Sequence, residues 1–119
     1  SLKDLSKAKV ALLGVSYKGN VDDPRESPFY AVKELLEQEG VTFSVYDPLF
    51  TKENTVASVE EAVEKVDAIL LVTDHKEFKD ILTADFLVKQ GVKVVVDGRN
   101  CLEREEIVSA GIVYKGIGR

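Results

Sequence analysis

The chain has 119 residues and a formal net charge of −5, with 45% hydrophobic and 31% charged residues. These proportions are typical of one soluble globular domain with a single core, and the acidic balance argues against a nucleic-acid-binding protein. No apolar run approaches the roughly 18 residues of a membrane span, and residues 1–9 lack the apolar centre of a signal peptide. The single cysteine, Cys101, excludes an internal disulfide and suits a reducing compartment. We therefore expect a cytoplasmic protein without a membrane partner.

Five apolar runs have the composition of strands that are buried in a parallel sheet. They are residues 9–15, 41–46, 68–72, 92–96 and 112–114. Between these runs, apolar positions recur at helical spacing and predict helices. Start signals support three of them: Ser27 with Pro28, the capping box of Ser58 and Glu61, and Thr83.

The alternation of strands and helices predicts an α/β domain with three layers, a Rossmann-like fold around a five-stranded parallel sheet. The expected strand order is 3-2-1-4-5, which places the ends of strands one and four side by side. We assign residues 9–119 to this domain. Residues 1–8, which begin without Met, are interpreted as the tail of a preceding connecting helix or as an added lead-in. We therefore expect the chain to be a piece of a longer protein.

The connection between the first strand and the first helix, residues 14–28, is unusually long. A strand and a helix are commonly joined by about two to six residues. Because ligands of open parallel sheets bind outside the carboxyl ends of the strands, this loop is the first candidate for a binding site. In the expected strand order it faces residues 97–100, which follow the fourth strand.

Lys18 in this loop and Arg99 after the fourth strand are candidate ligands for a diphosphate. Arginine offers a planar fork of donors and lysine a compact point charge; the alternative is that both are solvated surface cations. For Asp22 and Asp23 we favour a structural role, in which their carboxylates brace the loop through hydrogen bonds. The role of Arg25 stays open on the residues alone.

Other residues give weaker signals. The Gly-x-Gly-x-x-Gly dinucleotide fingerprint is missing, since Gly14 and Gly19 are five positions apart. Without it, Asp47 at the end of the second strand is weak support for a ribose-binding acid. Cys101 is a potential nucleophile, but a lone cysteine is more often a small core residue, and His75 is more often a residue at a helix start or a strand rim. No metal-ligand spacing is present.

Residues 14–28, Gly-Val-Ser-Tyr-Lys-Gly-Asn-Val-Asp-Asp-Pro-Arg-Glu-Ser-Pro, resemble the signature that opens the C-terminal domain of the UDP-glucose/GDP-mannose dehydrogenase family. Further family motifs follow in the same order: Tyr-Asp-Pro at 46–48, Thr-Asp-His at 73–75, Asp-Gly-Arg-Asn at 97–100 and Tyr-Lys-Gly-Ile-Gly at 114–118. The sequence looks most like the UDP-N-acetylhexosamine branch, which includes UDP-N-acetylmannosamine dehydrogenases, although Gly19 replaces a frequent proline.

This resemblance implies part of an enzyme that oxidises C6 of a UDP-sugar from alcohol to carboxylate with NAD, in the synthesis of polysaccharide precursors. The intact enzyme would be a homo-oligomer with an N-terminal NAD-binding domain, a central dimerisation domain and the present nucleotide-sugar-binding domain. The family pattern implies that Tyr17, Lys18 and Arg99 contact the nucleotide sugar and that Arg25 reaches toward NAD. The catalytic residues belong to the preceding domains, and Cys101 does not match the motif of the nucleophile, so this chain alone would be inactive.

Two alternatives stay open at this stage. A receiver-like regulatory module has a similar five-stranded fold, but it needs an acidic pair after the first strand, where this chain has Gly14 and Val15. It also needs a phosphorylatable aspartate at the end of the third strand, and here Asp74 does follow that strand. A nucleotide-binding module without catalysis anywhere in its parent chain would differ only in the upstream sequence.

Overall fold

The computed structural model describes residues 8–15 and 28–116. Within them the strands are β1 (Lys9–Leu13), β2 (Thr42–Tyr46), β3 (Ala68–Leu71), β4 (Val94–Asp97) and β5 (Val113–Gly116). The α-helices are α1 (Phe29–Gln38), α2 (Val59–Val63), α3 (Lys76–Ile81), α4 (Ala84–Gln90) and α5 (Arg104–Ser109), and a 3₁₀ turn covers Thr51–Glu53. No α-helix of the described residues has the length and apolar character needed to cross a bilayer.

All strand pairs are parallel, and the sheet has the order β2-β1-β3-β4-β5. The register aligns the strand ends, because Leu13 lies opposite both Tyr46 and Leu71, and Leu71 lies opposite Asp97. The loops that follow β1, β3 and β4 therefore leave the sheet at one edge, where α/β proteins bind their ligands.

The strand order differs from the expected 3-2-1-4-5, because β3 and not β4 lies beside β1. The physical reason is visible in the composition of two strands. In β2, Thr42 is exposed and Ser44 half-buried, as suits an edge strand, whereas β3 is a continuous apolar run that lies between two neighbours. Both orders allow right-handed crossovers, so handedness alone does not choose between them.

Helices cover both faces of the sheet, so the predicted three-layer α/β architecture is confirmed. On one face, Phe29 and Leu36 of α1 pack in a core cluster with Val10 and Leu12 of β1. On the other face, residues of helices α2, α3, α4 and α5 pack in a second cluster against the opposite sides of the strands. It includes Ala11, Leu13, Val59, Ile69, Phe78, Leu87, Val95 and Ile107.

The predicted helix starts are largely confirmed. The hydroxyl of Ser58 accepts a hydrogen bond from the amide of Glu61 at 3.1 Å, and the Glu61 carboxylate in turn accepts from the amide of Ala57 at 3.1 Å. Thr83 accepts in the same way from the amide of Phe86 at 3.3 Å. Helix α1 begins one residue later than predicted, with Pro28 as the residue before its first turn.

Candidate functional site

A cavity of about 270 Å³ opens at the carboxyl edge of the sheet, between α1 and the ends of β3 and β4. Its lining consists of Pro28, Val32, Leu70, Leu71, Val72, Val96, Gly98 and Arg99. Apolar side chains form most of the wall, and Arg99 is the charged residue of this lining. An apolar wall beside one guanidinium suits a ligand that combines a flat, weakly polar ring with an anionic group.

A buried carboxylate holds the turn that carries Arg99. Asp97, the last residue of β4, is fully buried, and its oxygens accept hydrogen bonds from the amides of Arg99 at 3.0 Å, Cys101 at 2.9 Å and Leu102 at 2.9 Å. The hydroxyl of Tyr114 on β5 donates to the same carboxylate at 2.7 Å. Donors from a turn and a neighbouring strand therefore fix residues 97–102, and with them the origin of the Arg99 side chain.

Cys101 packs against the core next to this carboxylate. Burial raises the pKa of the Cys101 thiol to about 12, and the nearby charges of Asp97 and Asp74 act in the same direction. Because the thiolate is the nucleophilic form of cysteine, this environment is the opposite of the cationic setting that activates a catalytic thiol. The geometry supports the interpretation of Cys101 as a core residue.

A second buried carboxylate lies at the end of β2. Oδ2 of Asp47 accepts from the amide of Val15 at 2.7 Å and lies 3.1 Å from Nε2 of His75, while Oδ1 accepts from the amides of Leu49 and Phe50 at 2.8 and 2.9 Å. In a dinucleotide-binding domain an acid at this place accepts from a ribose hydroxyl. Here the carboxylate is turned inward, and protein groups use both of its oxygens.

The hydrogen bonds of Asp47 keep it ionised despite complete burial. Burial alone would raise the pKa of the Asp47 carboxyl, but the hydrogen bonds from His75 and from the backbone amides outweigh this effect and lower the pKa from 3.8 to about 2. Asp47 is therefore a carboxylate throughout the physiological range and can only accept hydrogen bonds.

The first residue after β1 makes an unusually close approach to the loop after β3. Gly14 has a φ of +97°, and a Cβ placed on it would lie 2.3 Å from Oγ1 and 2.8 Å from the backbone nitrogen of Thr73. The amide of Gly14 also donates to the carbonyl of Tyr46 at 2.9 Å. The absence of a side chain at Gly14 therefore lets the ends of β1, β2 and β3 converge.

Of the sequence-predicted site residues, Arg99 falls within the described part of the chain. It belongs to the lining of the cavity, and its contact with substrate stays a prediction. The other predicted residues fall outside the described ranges 8–15 and 28–116; they are Tyr17, Lys18, Asp22, Asp23 and Arg25. Because β3 separates β1 from β4, the ends of these two strands are two strand spacings apart, about 10 Å, and not adjacent as expected.

Sequence reasoning missed the organising role of Asp97 and undervalued that of Asp47. A local signal for both was present, since each aspartate stands at the end of a strand and precedes a turn residue, Gly98 or Pro48. Aspartate in that position commonly bonds to amides two or three residues further on. No group of three or more His, Cys, Asp or Glu within the described part of the chain is arranged to hold a metal ion.

Comparison with known proteins assigns this α/β domain to a family. A family model described as the UDP binding domain of the UDP-glucose/GDP-mannose dehydrogenase family matches residues 11–104. The chain belongs to this family, as the motifs predicted. Strand order 2-1-3-4-5 is shared with receiver domains, but nothing in these comparisons favours a receiver-like module.

Several similar proteins are named as dehydrogenases of nucleotide sugars. The chain is 36% identical over 114 residues to UDP-N-acetyl-D-mannosamine dehydrogenase of Pyrococcus horikoshii, in a match that covers 96% of this chain and 26% of the relative. It is 31% identical over 119 residues to a UDP-glucose 6-dehydrogenase of Bacillus subtilis, covering 92% and 27%. A solved structure, NDP-N-acetyl-D-galactosaminuronic acid dehydrogenase of Methanosarcina mazei, superposes with a TM-score of 0.84 at 36% identity, covering 94% and 25%. The chain thus spans about a quarter of the length of these relatives.

Proposed function

We propose that residues 9–119 are the nucleotide-sugar-binding domain of an NAD-dependent dehydrogenase that oxidises C6 of a UDP-sugar from alcohol to carboxylate. The family match and the names of the relatives support this proposal. The observation that carries it is the position of Arg99, whose guanidinium-bearing side chain lines an apolar cavity at the ligand-binding edge of the sheet.

The domain contributes binding, and the chemistry takes place on residues of the remaining three-quarters of the enzyme. The pKa of the Cys101 thiol is raised to about 12, so it is a poor candidate for the nucleophile. NAD supplies the hydride acceptor in this family and is held mainly by the N-terminal domain. The described residues do not fit an NAD site of their own, because the carboxylate of Asp47 already accepts from protein donors.

In the proposed complex Arg99 pairs with the diphosphate, and the cavity wall packs against the base or the ribose. Tyr17 and Lys18 contact the nucleotide sugar from the loop after β1, and Arg25 reaches across the interdomain cleft toward NAD. Asp22 and Asp23 brace that loop. The roles of Tyr17, Lys18 and Arg25 rest on the match between residues 14–28 and the family signature. The role of Asp22 and Asp23 rests on the readiness of aspartate to accept hydrogen bonds from nearby backbone amides.

We further propose a UDP-N-acetylhexosamine as the substrate, which is oxidised in the cytoplasm to a polysaccharide precursor by a homo-oligomeric enzyme. Several relatives named UDP-N-acetyl-D-mannosamine dehydrogenase are 36% identical to this chain, compared with 31% and 33% for two UDP-glucose 6-dehydrogenases. The upstream sequence offers a direct check, since it should contain a Gly-x-Gly-x-x-Gly fingerprint and a nucleophilic cysteine.

Calorimetric titration of the full-length enzyme with UDP tests the role of Arg99. We expect Arg99→Ala to weaken binding by about 1–3 kcal/mol, roughly 5- to 150-fold, which is the scale of a hydrogen bond to a charged group. Arg99→Lys should recover only part of the loss, because lysine cannot form the planar fork. Arg104→Ala is the matched control, since Arg104 is exposed on α5 and lies outside the cavity. Equal affinities of the Arg99→Ala and Arg104→Ala variants would contradict the proposal.

A further inference from the structure

The pair formed by Asp47 and His75 has no part in the proposed contacts with substrate. His75 is 1% exposed and Asp47 fully buried, and Nε2 of His75 lies 3.1 Å from Oδ2 of Asp47. The His75 ring also packs edge-to-face on Phe78 of α3, with ring centroids 5.4 Å apart. Both residues are thus held in place inside the protein.

The pair connects the ends of three adjacent strands. Asp47 follows β2, His75 follows β3 by a few residues, and the shared Oδ2 also accepts from the amide of Val15, which follows β1. Val15 precedes Tyr17 by two positions and Lys18 by three. The carboxylate therefore holds the chain at the start of the loop after β1, to which nucleotide-sugar binding is assigned.

The direction of the hydrogen bond follows from the ionisation of Asp47. A carboxylate can only accept, so Nε2 of His75 must carry the hydrogen and donate. The second donor to the same oxygen is the Val15 amide, at 2.7 Å. Replacing His75 by a residue without a donor would leave that oxygen with one partner and would allow the carboxylate to reorient.

Stability alone is a weak reason for such a pair. Buried ionic groups are costly to desolvate, and apolar residues of similar volume often stabilise a core at least as well. A buried polar pair does, however, fix one geometry, since hydrogen bonds are directional and apolar contacts are not. What this pair fixes is the exit of the chain from β1.

We propose that Asp47 and His75 are positioning residues, which set the affinity for the nucleotide sugar by fixing Val15 and hence the start of the loop after β1. This inference rests on the proposed function. It assigns no contact with substrate to either residue. It makes the effect larger for the nucleotide sugar than for NAD, because Tyr17 and Lys18 follow Val15 by two and three positions in the sequence, whereas Arg25 follows it by ten.

Steady-state kinetics of the full-length enzyme with both substrates varied tests the inference. We expect His75→Phe to raise the KM for the UDP-sugar by about tenfold or more, with kcat and the KM for NAD changed by less than about threefold. His75→Gln should recover most of the loss, because its amide can donate to Asp47. Asp80→Asn is the matched control, since it removes the partner of Lys76 in an exposed pair at 2.8 Å. Parallel increases in both KM values, or no advantage of Gln over Phe, would overturn the inference.

A second measurement needs no substrate and so separates this inference from the proposed function. Amide hydrogen exchange of the 119-residue chain, followed by NMR, reports on the Val15 amide directly. In His75→Gln and His75→Phe we expect faster exchange at Val15, more so for Phe, while the Val72 amide, which donates to Leu13 in the sheet at 2.8 Å, keeps its protection. Unchanged protection of Val15 in His75→Phe would refute the positioning role whatever the enzyme binds. Failure of the full-length wild-type enzyme to oxidise any UDP-sugar would refute the proposed function instead.

Discussion

Substitution of Gly14 by Ala tests the convergence of the strand ends at the binding edge. Two costs combine at this position. The φ of +97° is strained for a residue with a side chain, and the new Cβ would lie 2.3 Å from Oγ1, 2.5 Å from Cβ and 2.8 Å from the backbone nitrogen of Thr73. Truncating Thr73 to Ala would not relieve the contact, because its Cβ and nitrogen remain.

Gly111 allows the two costs to be separated. It has a similar φ of +90°, but a Cβ there meets nothing within 4 Å. Gly111→Ala should therefore lower the free energy of unfolding by about 1–2 kcal/mol through backbone strain alone. Gly14→Ala carries the same strain and in addition an overpacking cost of about 1–3 kcal/mol, so we expect a loss of about 2–5 kcal/mol. Such a loss is a large fraction of the roughly 5–15 kcal/mol that stabilises a typical domain.

Urea unfolding of the 119-residue chain, followed by circular dichroism, measures both variants against the wild type. The quantity of interest is the difference between the two variants, since strain in the left-handed region is common to both. If Gly14→Ala and Gly111→Ala agree within about 0.5 kcal/mol, the close approach of Gly14 to Thr73 does not constrain the fold, and the reasoning fails.

Three further predictions concern the buried polar groups. The pKa of Asp47 is about 2 in the folded chain against an ordinary 3.8. Ionised Asp47 therefore contributes about 2 kcal/mol to the free energy of unfolding above pH 3.8, and this contribution is lost as the pH falls through 2. In urea unfolding across this pH window, Asp47→Asn should lose less stability with falling pH than the wild type. The Cys101 thiol, with its pKa raised to about 12, should react with Ellman's reagent at pH 8 about 100-fold or more slower in the folded chain than in urea, and equal rates would contradict its burial. Tyr114→Phe should cost about 1.5–3 kcal/mol in urea unfolding, because it removes a 2.7 Å hydrogen bond to the buried Asp97. Tyr30→Phe, whose exposed hydroxyl lies 3.4 Å from Glu53, should change stability by less than about 0.5 kcal/mol.

Local patterns were sufficient to predict the fold class. The apolar runs become the strands, and the caps at Ser58 and Thr83 depend on residues within one helical turn. Strand order is a non-local property, and it was missed even though the polar residues of β2 and the unbroken apolar run of β3 favoured an edge and a central position respectively. Weighing the composition of each strand against its number of neighbours would have favoured the observed order.

The location of Arg99 is the part of the candidate site that the sequence could predict. Arg99 reaches the cavity because it follows a strand that ends at the carboxyl edge of the sheet, and this depends only on its position along the chain. Beside its local partners, each buried carboxylate has a partner far away in sequence: 17 positions separate Asp97 from Tyr114 and 32 separate Asp47 from Val15. Neither spacing follows from helix or strand periodicity, so only the tertiary structure shows these two long-range hydrogen bonds.

The hydrogen bond from Tyr114 to Asp97 also bears on where this domain can be cut. The family model matches residues 11–104, which include Arg99 and its turn but leave out β5. A protein trimmed to the matched range would lose the phenol that anchors the Asp97 carboxylate, and with it one edge of the sheet. The smallest piece that can present Arg99 correctly therefore extends at least through β5, so the range of the family model is narrower than that of the cooperative unit.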